Sequence, residues 1–371
     1  MLDKRPTYIK IKLKNLINNL EIIKKIIKKN TEIIAVVKAN AYGHGSEEVT
    51  KELFKHNVKY FAVACAYEAE KLFNLNLNLK IVSIGKIYRE DIELSKKFPY
   101  ELTVSSINDL NNIKSINFPL NIHLKIDTGM GRCGVWSEEF ISALKIIKSN
   151  GFLNLKGVLT HFPAADNDLE FTKSQIKILQ NLRKFLYENK FVNVSIHCAN
   201  SDAIINFPEA HFDMVRPGII LYGSYWNLKK KKELGLKPVM EFISKVVEIK
   251  TFKKGDTIGY GRTFTVEKDN MKCALIPAGY ADGFSRAFSN NGFLLINNHL
   301  CEIVGRISMD WLVVNINNKD IKIGDKVILF GDEKRQVDID IIANKINTIS
   351  YEILCNVGKN YRKEVVYDRG N

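Results

Sequence analysis

The chain has 371 residues, 46% hydrophobic and 26% charged, which are values of a globular protein and exclude a disordered or fibrous one. That length exceeds what one core usually organises, so two domains are expected. The net charge is +14, yet the basic residues are dispersed in pairs such as Lys24-Lys25, Lys28-Lys29 and Lys96-Lys97. A nucleic-acid partner calls for a concentrated basic stripe, so neither nucleic acid nor membrane is expected as a partner.

Taken in chain order, Met1-Leu2-Asp3-Lys4-Arg5-Pro6 leads into an alternating strand at Tyr8-Ile9-Lys10-Ile11 and does not read as an export signal. Leu16, Leu20, Ile23 and Ile27 then share one helix face. From about residue 10 to 225 short β-branched runs alternate with longer helical ones, the mark of parallel βα units. The spacing predicts strands at 33–39, 60–66, 79–85, 101–105, 120–127, 155–161, 192–198 and 214–222. Helices are predicted at 137–149, with a serine cap, and at 168–189. Eight strands with intervening helices predict an α/β fold, a (β/α)8 TIM-like barrel over residues 10–232, followed by a mainly β C-terminal domain.

The dense run Lys229 to Lys232 reads as a linker. Beyond it, strands are predicted at 239–252, 257–264, 272–278, 299–306, 311–316 and 326–330, separated by turn signals such as Lys254-Gly255-Asp256 and Ile323-Gly324-Asp325. One helix is expected near 337–347. Residues 1–9 and 233–371 are assigned to this domain. No apolar run is long enough to cross a bilayer. The six cysteines (Cys65, Cys133, Cys198, Cys273, Cys301 and Cys355) form no Cys-x-x-Cys pair, which argues against a disulfide framework or a structural zinc site. A cytoplasmic location with no metal is expected.

In such a barrel the active site forms at the C-terminal ends of the strands. Those ends carry polar groups that packing alone would not select: Lys38 and Tyr42, Lys125 to Arg132, Thr160-His161, His197 to Ser201, and Arg216-Pro217-Gly218-Ile219. Lys38 follows the apolar run 33–37. A lysine removed from water loses proton affinity and becomes a usable nucleophile or base. Taken alone, Lys38 reads equally well as a rim lysine paired with a carboxylate.

The string Val37-Lys38-Ala39-Asn40-Ala41-Tyr42-Gly43-His44-Gly45 resembles the cofactor-lysine signature of alanine racemases. The resemblance runs along essentially the whole chain. It includes 125–134, Thr160-His161-Phe162, Asn200-Ser201, Arg216-Pro217-Gly218, Gly279-Tyr280-Ala281-Asp282-Gly283, 305–310 and Ser350-Tyr351-Glu352. It implies a pyridoxal 5'-phosphate enzyme, a homodimer with shared sites, and D-alanine supply for peptidoglycan.

The same resemblance implies roles. Lys38 would hold the cofactor as a Schiff base and act on one face of the substrate Cα. Tyr280, from the partner chain, would be the base on the other face. His161 would link that tyrosine to Arg216. Arg216 would lie on the pyridine nitrogen, where most pyridoxal enzymes place a carboxylate. A guanidinium is effectively never deprotonated, so it can only donate and leaves the ring a weak electron sink. Tyr42, Ser201, the N–H groups of Gly218 and Ile219, and Tyr351 would hold the phosphate, with Asn200 beside them. Arg132 and the partner's Met309 would face the substrate carboxylate. Lys125 would be carbamylated and steady Arg132.

Two positions depart from the pattern. Ser308 stands where many relatives have Cys, and Arg262 where a small residue is common. Two rival readings meet obstacles. A decarboxylase on the same architecture would need a carboxylate in place of Arg216. A single-barrel pyridoxal-phosphate homeostasis protein would lack the C-terminal domain. A racemase of serine or of broader specificity is the closer alternative, and alanine is favoured because Tyr351 and Met309 leave room for little beyond a methyl group.

Overall fold

The computed structural model describes residues 4–191, 193–359 and 362–370, and they fall into two compact units. One comprises residues 20–41 and 46–221. Its eight strands are Glu32–Val36, Tyr60–Val63, Lys80–Ser83, Tyr100–Val104, Leu120–Asp127, Leu153–Leu159, Ser195–His197 and Met214–Val215. Each pairs in parallel with the next, and Met214–Val215 returns to pair with Glu32–Val36, which closes a barrel. The strands are short and buried on both faces, as in Tyr60–Val63 and Tyr100–Val104. Buried parallel sheets read that way because helices cover their outer face. The TIM-like barrel read from the sequence is therefore present.

The other unit comprises residues 4–19 of the described chain, 42–45 and 222–370. Its main sheet has six strands, in the order His299–Glu302, Phe293–Ile296, Lys326–Phe330, Met240–Lys245, Tyr8–Lys12 and Glu364–Asp368. Tyr8–Lys12 pairs antiparallel with Met240–Ile243 and parallel with Glu364–Asp368. This pairing places residues 10–19, expected with the barrel, in the second unit. A three-stranded sheet of Glu248–Phe252, Met271–Ile276 and Leu312–Asn315 completes its β framework.

Several boundaries differ from expectation, each for a local reason. The first barrel strand ends at Val36, not at 39, because the backbone turns left-handed from Ala39. The eighth is two residues long where 214–222 was expected. Pro217 lacks the N–H a ladder needs, and Ile219-Ile220 turns. The seventh spans Ser195–His197, and Val192, expected to start it, lies outside the described residues. The predicted strand 239–252 is two strands, split at Val246-Val247.

Residues 229–232 are no linker, since they belong to the helix Leu228–Leu234, which is capped by Asn227 and ended by Gly235 at φ 74°. The helix 137–149 begins as a 3-10 turn at Ser137–Glu139, and Ser137 is not its cap. Asp168 caps the helix Leu169–Glu188. Near the C-terminus two helices, Ile339–Lys345 and Ser350–Gly358, replace the single one expected.

Candidate active site

Lys38 sits two residues past the first barrel strand and is half-buried, so it is less desolvated than a strand residue would be. The backbone behind it is unusual. Ala39, Asn40, Ala41 and Tyr42 all have φ between 52° and 54°. None is glycine, and each such residue costs about 1–2 kcal/mol. Strain of this kind persists only where the surroundings over-determine it, and it gathers at functional sites.

The determinants here are hydrogen bonds. Glu68 accepts the Ala39 N–H at 2.7 Å and the Ala64 N–H at 2.8 Å. Ala41 N–H reaches the Val37 carbonyl at 2.8 Å, and Asn40 Oδ1 accepts the Ser46 N–H at 2.9 Å. The turn fixes where Lys38 leaves the barrel wall.

Lys125 lies two residues before the end of the fifth strand and is 4% exposed, with Nζ 2.9 Å from Cys133 Sγ. Arg132 is exposed on the loop that follows. Asp127 builds that loop by accepting the N–H groups of Gly129, Gly131 and Arg132 at 2.9–3.0 Å. Burial would raise its pKa, but these backbone donors prevail and hold the carboxyl below its usual range.

His161 follows the sixth strand. Burial, then the positive charges of Arg216, Arg132, Lys125 and Lys38, push its pKa down to about 3. It is therefore neutral at physiological pH, and its Nδ1 lies 3.5 Å from Arg216 Nη2.

Arg216 is the centre of this cluster. It is 5% exposed, and its partners carry no negative charge. Nη1 donates to His197 Nδ1 at 2.9 Å and to the His197 carbonyl at 2.6 Å. Nη2 donates to the carbonyls of Thr160 at 2.7 Å and Cys198 at 3.3 Å. No carboxylate lies within ion-pair distance of it among the described residues, which rules out a plain surface salt bridge. Burial pushes its pKa down to about 10, so it remains a cation at neutral pH. Of its five N–H groups, Nε–H meets no acceptor among the described residues.

Ser201 opens the helix Ser201–Asn206, and its Oγ accepts the Gly218 N–H at 3.3 Å. Asn200 caps that helix through the Ala203 N–H at 3.0 Å and donates to the Phe162 carbonyl at 3.3 Å. The Ile219 N–H meets no acceptor among the described residues.

The remaining expected residues lie in the second unit. Tyr42 packs its ring 5.6 Å from Tyr351 and 5.0 Å from Tyr222, and burial raises its pKa. Gly43 is required beside it, because a Cβ there would lie 2.4 Å from the Leu354 carbonyl oxygen. Tyr280 and Met309 lie on adjoining backbone, with Tyr280 N–H to the Ser308 carbonyl at 3.2 Å and Ala281 N–H to the Met309 carbonyl at 3.1 Å. Both side chains are exposed, at 43% and 52%.

The sequence reading assigned no role to Glu68, Asp127, Glu101 or His123. The last two carried a signal, since each is an ionisable residue at a buried position of a barrel strand, with an apolar residue following it.

A closed eight-stranded barrel with a lysine at the end of its first strand and a buried, carboxylate-free arginine after its last defines a class of barrel enzymes with a second, mainly β domain. Comparison with known proteins narrows that class. Residues 11–225 match the family model of the alanine racemase N-terminal domain, and residues 239–365 that of the C-terminal domain. The chain is 38% identical to an alanine racemase of Staphylococcus carnosus, over 99% of this chain and 98% of that protein. It is 37% identical to one of Methanococcus maripaludis, over 95% and 96%. Among solved structures, an alanine racemase of Clostridium difficile 630 superposes with a TM-score of 0.90 at 36% identity, covering 100% of this chain and 97% of that one. One of Bacillus anthracis with bound L-Ala-P gives 0.90 at 30% identity, with the same coverage. The chain is an enzyme of the alanine racemase family.

Proposed function

We propose that this chain interconverts L- and D-alanine by a two-base mechanism with pyridoxal 5'-phosphate, as a cytoplasmic homodimer supplying D-alanine for peptidoglycan. The observation that carries the reading is Arg216, a buried cation that among the described residues has only neutral partners and one donor left over. That donor suits an aromatic nitrogen that accepts and is not protonated. The open Ile219 N–H and the Ser201–Gly218 pair suit a phosphate in the same way. The residues present therefore fit the cofactor.

Pyridoxal phosphate supplies the electron withdrawal that makes a substrate Cα proton removable. The protein does the rest. Lys38 holds the cofactor and moves a proton on one face of Cα, and Tyr280 of a second chain moves one on the opposite face. Two bases are needed because one cannot reach both faces of a planar carbon. His161, kept neutral, passes hydrogen bonds between that tyrosine and Arg216.

Arg132 and the partner's Met309 would set the substrate carboxylate. Lys125 would be carbamylated, which turns a buried cation beside Arg132 into an anion that can pair with it. Tyr42 and Tyr351 would add their hydroxyls to the phosphate. Tyr280 and Met309 are exposed large side chains in one patch, as residues that serve a partner's site must be.

A racemisation assay over a panel of amino acids tests this. Alanine should be the best substrate, Lys38→Ala should be inactive, and Tyr280→Phe should lose kcat/KM equally in both directions, because each direction uses one base to remove the proton and the other to return it. A rate on serine far above that on alanine would overturn the substrate. Full racemisation by Tyr280→Phe in both directions would overturn its role.

A further inference from the structure

An unbroken row of hydrogen bonds runs through the barrel interior to Arg216. The Tyr60 hydroxyl donates to Glu101 Oε2, and His123 Nε2 lies 2.7 Å from the same oxygen. His123 Nδ1 lies 2.9 Å from His197 Nε2, and His197 Nδ1 lies 2.9 Å from Arg216 Nη1. All five residues are at most 8% exposed.

The residues come from the second, fourth, fifth and seventh strands and from the turn after the eighth. The second and fourth strands are not neighbours, nor are the fifth and seventh, so these bonds cross the inside of the barrel. The sixth strand makes room for the crossing. A Cβ on Gly157, level with His123, would sit 2.4 Å from His123 Nδ1.

The row has only one polarity. Arg216 can only donate, so His197 Nδ1 must accept, and a neutral His197 then carries its proton on Nε2. His123 Nδ1 must accept that proton, so His123 also carries its own on Nε2 and gives it to Glu101. A carboxylate can only accept, which ends the row. An imidazolium at either place would set one N–H against another. Burial would raise the Glu101 pKa, but the His123 and Tyr60 contacts prevail and keep it ionised. Burial, then Arg216, hold His197 neutral.

We propose that Glu101 is a positioning residue for Arg216, locking His123 and His197 in the Nε2–H tautomer so that Arg216 stays fixed as a donor. This rests on the proposed function for what Arg216 donates to. Without the acceptor at 101, His123 can reverse and give its Nδ1 proton to His197. His197 must then carry a proton on Nδ1, which faces the guanidinium N–H and drives it aside.

Side-chain 15N spectra of the full-length protein, recorded without added cofactor, test the proposal in the wild type, Glu101→Leu and Glu101→Gln. In the wild type both imidazoles should carry their proton on Nε2 and leave Nδ1 bare. Glu101→Leu should mix or reverse the tautomers and lower racemisation kcat at least about tenfold with KM little changed. Glu101→Gln still offers a carbonyl acceptor and should restore both.

An Nδ1–H or an imidazolium at either histidine in the wild type would overturn the proposal, and that spectrum requires no variant to fold. So would a Glu101→Leu protein with unchanged tautomers and kcat. If the wild-type tautomers are as stated but Arg216→Leu racemises normally, the function given to Arg216 fails while the polarity of the row stands.

Discussion

Among the described residues each unit of the molecule buries two lysine or arginine side chains, and one from each, Lys231 and Arg216, are treated in opposite ways. Lys231, in the second unit, is fully buried and gives its ammonium to both oxygens of Asp338 at 2.8 Å and to Asp340 at 2.7 Å. Ser224 and the Tyr225 N–H hold Asp340 in turn. Burial would raise the Asp340 pKa, but Lys231 prevails and keeps it low.

Arg216, in the barrel, touches no carboxylate among the described residues and keeps one donor open among them. A closed ion cluster has no capacity left for a ligand, so it holds a fold together. An open, uncompensated cation is poorly placed for stability and well placed to bind something. The difference separates structure from chemistry without reference to either residue's sequence motif.

The comparison can be broken at either end. Lys231→Leu would strand two buried carboxylates. It should lower unfolding free energy by about 3–5 kcal/mol in urea titration. Activity per folded molecule should stay unchanged, and a catalytic defect there would blur the distinction. Arg216→Leu should do the reverse, lowering racemisation kcat by roughly 10²–10³-fold, the scale of losing one preorganised donor, with a smaller loss of stability than Lys231→Leu.

A smaller effect sharpens the contrast through pH. His161 has its pKa pushed from 6.5 to about 3 in the fold, so the unfolded chain binds its proton first. Stability should therefore fall as pH drops from 6.5 towards 3, and not on the alkaline side. Thermal melts of wild type and His161→Gln should show a shallower acid slope in the variant. Equal slopes would remove His161 from the acid response.

Much of the barrel was legible because βα alternation is a local signal. The strand ends were legible as polar residues where packing wants none. What was not legible depended on partners far away in sequence or on backbone strain. Lys229 to Lys232 lacks apolar residues and read as a linker, because Asp338 and Asp340, which bury Lys231, lie more than a hundred residues on. The turn at Ala39 to Tyr42 uses alanine and tyrosine, which ordinarily favour the right-handed region, so apart from Asn40 nothing in their identity announces φ near 53°. The residues expected at the site were read from their motifs. Glu68 and Asp127, which shape the backbone around Lys38 and Arg132, act through main-chain N–H groups that no motif records.

The central claim is that Arg216 is an obligate donor to a ring nitrogen left without a proton. The 15N chemical shift of pyridoxal phosphate labelled at that nitrogen, bound to the protein near neutral pH, tests it directly. The account predicts the shift of a bare, hydrogen-bond-accepting nitrogen in the wild type, changed in Arg216→Leu. A protonated, pyridinium-like shift in the wild type would contradict it.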